Sequence, residues 1–237
     1  YYLIGNEGVI LGIAISSFPY FFRIYKSCKE TKIDFSILRK RIKFVVTNYA
    51  ITLSASFGGS TDKLIIAPLL GFTLLGNYQL GIQFLAMLNI LPAIVFKYVL
   101  PHDASGESSV KLKLITILAS GFIAVIAFFL SPWAVSQIFP EYLQAIEIIP
   151  ILSLSLIPST VTLFYTSKFL GNEDNFPIFV GSTLYLIILV VLIIILGKMF
   201  DLLGIAIAFN IAIITQMVYF IIIQKLRSQR LHKNNEK

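Results

Sequence analysis

Long runs without a charged residue dominate the pattern of hydrophobic and polar positions in this chain. Such runs mark candidate membrane spans, because a spanning helix needs about 20 mostly apolar residues. The candidates, named A to G in order, are 8–22, 44–61, one helix within 64–96, 114–140, 148–167, 175–197 and 202–224. The third run is too long for one helix, and its turn-like stretch 71–77 predicts that helix C begins near Asn77. The pattern predicts an all-α, polytopic transmembrane helix bundle of about seven spans.

The composition excludes the soluble and disordered alternatives. Hydrophobic residues make up 57% of the chain and charged residues 13%, whereas soluble proteins have roughly 45–50% and roughly 25%. Such a chain cannot form a mixed charged surface, and its apolar content is too high for disorder. The single cysteine, Cys28, excludes an internal disulfide framework and any CxxC motif.

The positive residues indicate which ends of the helices share a side of the membrane. Seventeen of the 19 Lys and Arg residues lie in the A–B, C–D and E–F connections and in the tail, and only Lys63 and Lys198 lie on the other side. Because Lys and Arg favour the cytoplasmic side, we expect a cytoplasmic C-terminus in the cell membrane and an external Tyr1. The net charge of +7 then reflects orientation and contact with anionic membrane lipids, not nucleic acid.

The helix count predicts that this sequence is the C-terminal portion of a longer protein. The chain begins at Tyr1, without methionine or a signal peptide, and has an odd number of predicted spans. The sequence LGIAI occurs at 11–15 and at 203–207, six helices apart, although chance explains such a match equally well. A six-helix repeat makes 1–36 the last helix of a missing N-terminal half plus a basic linker, 37–224 the second half and 225–237 a basic cytoplasmic tail.

Signals for an enzyme are weak. His102 and His232 lie in predicted cytoplasmic segments without an HExxH motif or paired carboxylates nearby, and the chain has no GxSxG, phosphate-loop or dinucleotide fingerprint. We therefore expect no catalytic residues, no cofactor and no metal site.

The strongest polar feature is the pair Asp62-Lys63. If helix B continues to Pro68, both charges lie within the bilayer, where a charge near the centre costs about 2.5–3.5 kcal/mol. Adjacent helical residues do not face each other, so the two charges should have different partners. Asn48, Thr52 and Ser56 share a helix face that could lead to Asp62. The alternatives are an ordinary loop pair for the charges and helix–helix contact for the polar face.

Helices C and E carry the remaining candidate residues. Gln79 and Gln83 share a face of helix C, and Tyr78 beside them could line a cavity or act as an interfacial belt residue. Pro150 and Pro158 in helix E each remove a backbone hydrogen bond and favour a kink. Such kinks suit a conformational hinge, although static membrane proteins also contain them.

Four stretches carry a resemblance to a known family. The segment DKLIIAPLLGFTLLGNYQL at 62–80 resembles the signature of polysaccharide-biosynthesis flippases, including O-antigen-type flippases of lipid-linked oligosaccharides, in the multidrug/oligosaccharidyl-lipid/polysaccharide exporter superfamily. FPEY at 139–142, LGN at 170–172 and LGIAIA at 203–208 are similar to later parts of the same family and occur in the same order. The resemblance covers essentially the whole chain.

The resemblance implies helices six to twelve of an exporter-type fold with two six-helix halves. It also implies a transporter that flips a lipid-linked oligosaccharide across the cytoplasmic membrane by alternating access. On this reading Asp62 and Lys63 are cavity charges, and Asn48, Tyr78, Gln79 and Gln83 are polar lining. Family members often have a cationic cavity, and Lys63 is the one embedded cation that this segment offers.

Three rival functions remain open. A drug/cation antiporter of the same superfamily would have further acidic residues inside helices B–G, where only Asp62 occurs. A seven-helix receptor-like protein shares the external N-terminus, but its retinal-binding version needs a lysine within 202–224, which has none. A glycan polymerase or transferase would need catalytic residues in the outer loops, which offer little beyond Glu141 and Glu147.

Overall fold

The computed structural model describes residues 5–30, 39, 42, 45, 46, 49, 61–106 and 109–235. The chain divides into two compact units, Tyr1–Thr47 and Asn48–Lys237. Helix α1 of the first unit, Gly5–Glu30, is longer than the predicted run 8–22 at both ends and contains Pro19. Aromatic side chains between Phe18 and Tyr25 are exposed on it.

The second unit consists of helices, and every regular element in the described residues is helical, which confirms the all-α prediction. In chain order the elements are α2 (61–70), α3 (Phe72–Leu88), α4 (Ile90–Ala104), α5 (Val110–Ile138), the 3-10 turn η1 (Pro140–Tyr142), α6 (Ala145–Ser153), α7 (Leu156–Gly171) and α8 (Phe176–Asn235).

The start of the third span differs from the prediction. Helix α3 begins at Phe72, not near Asn77, and the stretch predicted as a turn is helical except at Gly71. Gly71 has a φ of 87°, a left-handed conformation that glycine adopts without a steric penalty. Its carbonyl accepts a hydrogen bond from the Leu75 N–H, and the Asn77 amide donates to the Thr73 carbonyl. One glycine therefore makes the whole turn between α2 and α3.

Two pairs of consecutive helices are each bent at a short break. The axes of α3 and α4 differ by 47° at Asn89, and those of α6 and α7 differ by 44° at Leu154 and Ser155. In each pair a proline lies a few residues beyond the break. Pro92 and Pro158 provide no N–H for the carbonyl four residues earlier, and their rings collide with it in a straight helix. The second bend thus falls between Pro150 and Pro158, the two predicted hinge residues.

Helix α8 is a hairpin of two antiparallel helices. Phe200 (φ −134°, ψ 16°) and Asp201 (φ 47°, ψ −126°) leave helical geometry in its middle. Contacts then pair positions on either side of this reversal: the rings of Tyr185 and Phe209 lie 6.2 Å apart, and a Cβ on Gly181 would overlap the ring of Phe220. The two arms correspond to the predicted helices F and G.

The types of residue that are exposed and buried on α5 indicate whether this helix faces water or lipid. Small residues form its buried side, namely Thr116, Ser120, Ala124, Ala127, Ser131 and Val135. Large apolar residues form its exposed side, among them Ile115, Leu118, Phe122, Val125 and Phe129. This arrangement is the reverse of a soluble helix and is typical of a helix packed against others within lipid. The chain is therefore a membrane-embedded protein.

By length and composition, two described helices could cross a membrane, Val110–Ile138 and Phe176–Arg227, or four if each bent pair is one span. The hairpin divides the second of these into two passes, because a straight helix of 52 residues would be about 78 Å long, more than twice the hydrocarbon thickness. The count of seven spans stays a prediction.

The second unit has two distinguishable ends. At the end called here the basic end, Lys113 pairs with Asp103 and Arg227 pairs with Asp174. At the opposite end, Asn77 contacts Gln144 and the α6 N-terminus. The predicted grouping of the C–D connection, the E–F connection and the tail on one side agrees with this arrangement.

Candidate functional site

A buried carboxylate joins α2 to α3 near the opposite end. Asp62 is 6% exposed and Tyr78 is fully buried. The Tyr78 hydroxyl donates a 2.7 Å hydrogen bond to Asp62 Oδ2, and the Lys63 backbone N–H donates to Oδ1 at 2.8 Å. The turn at Gly71 reverses the chain so that the two residues, 16 positions apart, meet. Both oxygens have a donor, but neither donor neutralises the negative charge.

This site lies inside the larger of two apolar clusters. Ile66, Ile148, Leu152 and Ile205 are fully or almost fully buried around it. Tyr185 of the α8 hairpin lies within electrostatic range of the carboxylate. A charged group in such surroundings is energetically expensive unless it is hydrogen-bonded or has a functional reason to remain. Asp62 is consequently the first candidate for a functional residue.

Lys63 and Gln79 lie together in a different place. With Phe72, Leu75 and Gly76 they line a cavity of about 420 Å³. Gln79 Oε1 is buried and has no hydrogen-bond partner among the described residues. The structure thus gives the side chains of Asp62 and Lys63 separate surroundings. The Lys63 ammonium can bind an anionic group that enters this cavity, and Gln79 Oε1 can accept from a donor such as a hydroxyl.

The remaining predicted site residues are less closely associated with these two places. Gln83 is exposed one turn beyond Gln79. Asn48 lies outside the described residues, as do Thr52 and Ser56, so the proposed polar path along helix B stays a prediction. Pro158 is buried and Pro150 is partly buried on either side of the α6–α7 bend.

Polar side chains satisfy the backbone at the α6–α7 bend. The Asn210 amide donates to the Ile151 carbonyl at 2.9 Å, and Ser153 Oγ donates to the Pro150 carbonyl at 2.7 Å. Nearby, Thr160 donates to Ser120 at 3.0 Å. Within a bilayer no water is available to pair with freed carbonyls, so a stable bend requires such partners. The many serines and threonines of the sequence therefore have structural roles here.

A second polar cluster at the basic end was not predicted from the sequence. Lys113 Nζ lies 2.6 and 2.8 Å from the two oxygens of Asp103, and Ser167 Oγ donates to Oδ2 at 2.6 Å. The side chain of Asp103 is only 7% exposed. Three helices, α4, α5 and α7, meet through this carboxylate. In the sequence, this cluster is visible only as an aspartate ten residues before a lysine. That spacing corresponds to no known motif.

The described residues contain no group of three or more His, Cys, Asp or Glu side chains that could bind a metal ion.

No protein-family model, curated protein or solved structure matches this chain.

Proposed function

We propose that this chain is part of a membrane transporter that flips a lipid-linked oligosaccharide or polysaccharide precursor by alternating access. In this proposal it contributes seven spans of a fold with two six-helix halves, with the basic end in the cytoplasm. The cargo class rests on the resemblance of residues 62–80 and 139–208. The transport mechanism has independent support from the helix geometry.

The observation that carries the mechanism is the pairing of the two bends. Asn77 contacts Ala145 and Gly171 packs on Asp103, so facing residues of the two bent spans differ by 68 positions at both ends. The same offset places Asn89 beside residue 157, within about one helical turn of the break at Leu154 and Ser155. Two spans that run side by side in the same direction are therefore bent at nearly the same depth.

Paired bends provide a means of alternating access. The α3–α6 half and the α4–α7 half can tilt about the two breaks with little change inside each half, because short segments absorb hinge motions while packed helices move as rigid bodies. Broken helices near the middle of the bilayer also occur where transporters bind their cargo. A receptor-like bundle would use such bends as well, but it would have no need of the Lys63–Gln79 cavity.

The charges fit a cargo with a polar head. Lys63 and Gln79 would contact the pyrophosphate or sugar portion, and Asp62 would respond to cargo or ion binding through its bond to Tyr78. A transporter must bind its cargo differently in its two states. The Asp62–Tyr78 contact links α2, which contains Lys63, to α3, which bends, and so couples the cavity to the hinge.

A reconstitution experiment tests this proposal. The purified full-length protein that contains this chain is inserted into liposomes that contain a fluorescent polyprenyl-pyrophosphate-linked oligosaccharide, and dithionite is used to bleach the label in the outer leaflet. Flipping makes nearly all of the label accessible, whereas protein-free liposomes protect about half. The Lys63→Gln variant should slow the process at least tenfold, while the surface change Lys111→Gln should not. Protection of half the label by the wild-type full-length protein would refute the flippase proposal.

The drug/cation antiporter remains the second candidate because of one observation, the buried carboxylate of Asp62. An antiporter would move a cationic dye across the same liposomes in response to a proton or sodium gradient, and Asp62→Asn would abolish that movement. Dye transport without flipping of the lipid-linked oligosaccharide would favour this alternative.

A further inference from the structure

A cavity of about 430 Å³ opens between α4, α5 and α7 at the basic end. None of its lining residues belongs to the Lys63–Gln79 cavity. One part of its lining is polar and the other part is apolar. The polar lining residues are Asp103, Lys113, Lys168 and Asn172, and the apolar ones include Ile117 and Phe164.

The charges of the cavity leave a positive excess. Asp103 accepts from Lys113 through both oxygens and from Ser167 through one of them. One carboxylate therefore neutralises one of the two ammonium groups. The second, that of Lys168, is exposed at the edge of the cavity and has no ion-pair partner in the described part of the chain. Among the described residues that line it, the cavity thus presents one uncompensated positive charge.

The apolar lining continues from these charges towards the interior of the bilayer. Ile117 lies one turn beyond Lys113 on α5, and Phe164 and Val161 lie one and two turns before Lys168 on α7. Both helices run from the basic end into the hydrophobic part of the bundle. The cavity therefore has a charged mouth and an apolar wall that extends along the direction of lipid chains.

We propose that this cavity binds one anionic phospholipid, with its headgroup phosphate at Lys168 and its acyl chains along Ile117, Val161 and Phe164. Basic pockets between spans on the cytoplasmic side suit anionic headgroups, and this cavity adds the apolar contact that a free phosphate could not use. The bound lipid would join α5 to α7 beside the Asp103 cluster. This proposal stands independently of the transported cargo.

Native mass spectrometry of the chain released from nanodiscs tests the proposal. The nanodiscs contain equal amounts of phosphatidylglycerol and phosphatidylcholine. We expect wild-type protein to retain one phosphatidylglycerol at least fivefold more often than phosphatidylcholine. Lys168→Gln should reduce that preference at least threefold. Lys111→Gln removes the same charge from a residue outside the cavity and should leave the preference unchanged.

Two further arms separate the possible ligands. Val161→Phe narrows the apolar wall without changing charge and should lower lipid retention while circular dichroism shows an intact helical fold. Glycerol 3-phosphate, which has the phosphate but no acyl chains, should not displace the lipid. Three results would each overturn the proposal. The wild type could retain both lipids equally, Lys168→Gln and Lys111→Gln could have equal effects, or glycerol 3-phosphate could displace the lipid.

Discussion

The Tyr78 hydroxyl donates a hydrogen bond to Asp62 Oδ2 at 2.7 Å and thereby connects α3 to the helix before it. Both residues are almost inaccessible to solvent. One substitution can remove this hydrogen bond and another can remove the charge of Asp62. Comparing the two variants therefore separates a structural role of Asp62 from a functional one.

Tyr78→Phe should reduce stability, because it removes a side-chain donor to a buried carboxylate. Hydrogen bonds to charged groups contribute about 1.5–3 kcal/mol. Asp62→Asn keeps one oxygen that can accept from the Lys63 N–H and gains an NH2 group that can donate to the Tyr78 hydroxyl. It should therefore change the unfolding temperature less than Tyr78→Phe, while it abolishes any transport that depends on the charge. Thermal unfolding in detergent and the liposome assay measure the two effects. Normal transport by Asp62→Asn would assign Asp62 a structural role.

Gly171→Ala should destabilise the protein by about 1–3 kcal/mol, the usual effect of overpacking. A Cβ at this position would lie 2.8 Å from the Asp103 carbonyl carbon and 2.9 Å from the Ala104 nitrogen, and backbone atoms cannot move aside as a side chain can. Gly121→Ala is the matched control. Its Cβ would meet nothing closer than 3.7 Å, so this helical substitution should be neutral or stabilising. Equal unfolding temperatures for the two variants would contradict the close packing of α4 on α7.

Pro158→Ala should straighten the second bent span and slow transport. The new N–H can donate to the Leu154 carbonyl, and the ring that prevents a straight helix is absent. Spin labels at Leu143→Cys and Asn172→Cys in a Cys28→Ser background measure the result. The distance between them should increase by about 3 Å, estimated from the rise of 1.5 Å per residue.

The control for this prediction is Pro132→Ala, since Pro132 lies within α5, which stays a single helix. That change should leave transport within twofold of the wild type. A straightened α6–α7 span with full activity would show that the paired bends are not needed for movement.

Lys113→Met should destabilise the fold more than any surface charge change. It leaves Asp103 buried and unpaired except for Ser167, and loss of one partner of a buried pair costs about 3–5 kcal/mol. The double variant Asp103→Asn with Lys113→Met removes the stranded charge and should recover a large part of that loss. Unfolding by detergent titration provides the comparison. A double variant as unstable as the single one would show that Lys113 acts through packing alone.

The sequence predicted the positions of the helices better than the positions of the bends and turns that interrupt them. Charge-free runs located α5 and both arms of α8 because lipid demands long apolar segments. The bend at Asn89 was missed although Pro92 was visible, because a proline alone does not locate a break: Pro132 lies within the continuous helix α5. The start of α3 was misplaced because Gly71, Asn77 and Thr73 look like a turn, while their hydrogen bonds are compatible with a helix.

In the candidate site, too, residues that are close in the sequence were recognised, whereas contacts between distant helices were not. The pair Asp62-Lys63 was evident because charges are rare in an apolar run. The Asp103–Lys113–Ser167 cluster was not evident because its members come from three helices. Their meeting depends on how α4, α5 and α7 pack, which no local pattern encodes.

The hairpin of α8 has a consequence for the order in which the protein assembles. Only Phe200 and Asp201 leave helical geometry, and a Cβ on Gly204 would overlap the Leu196 carbonyl, so the two arms touch immediately beside the reversal. Closing so short a loop has a small entropic cost, and local contacts form faster than distant ones. We expect the arms to pair as soon as both have left the ribosome, which makes this hairpin an early folding unit onto which the bent spans can dock.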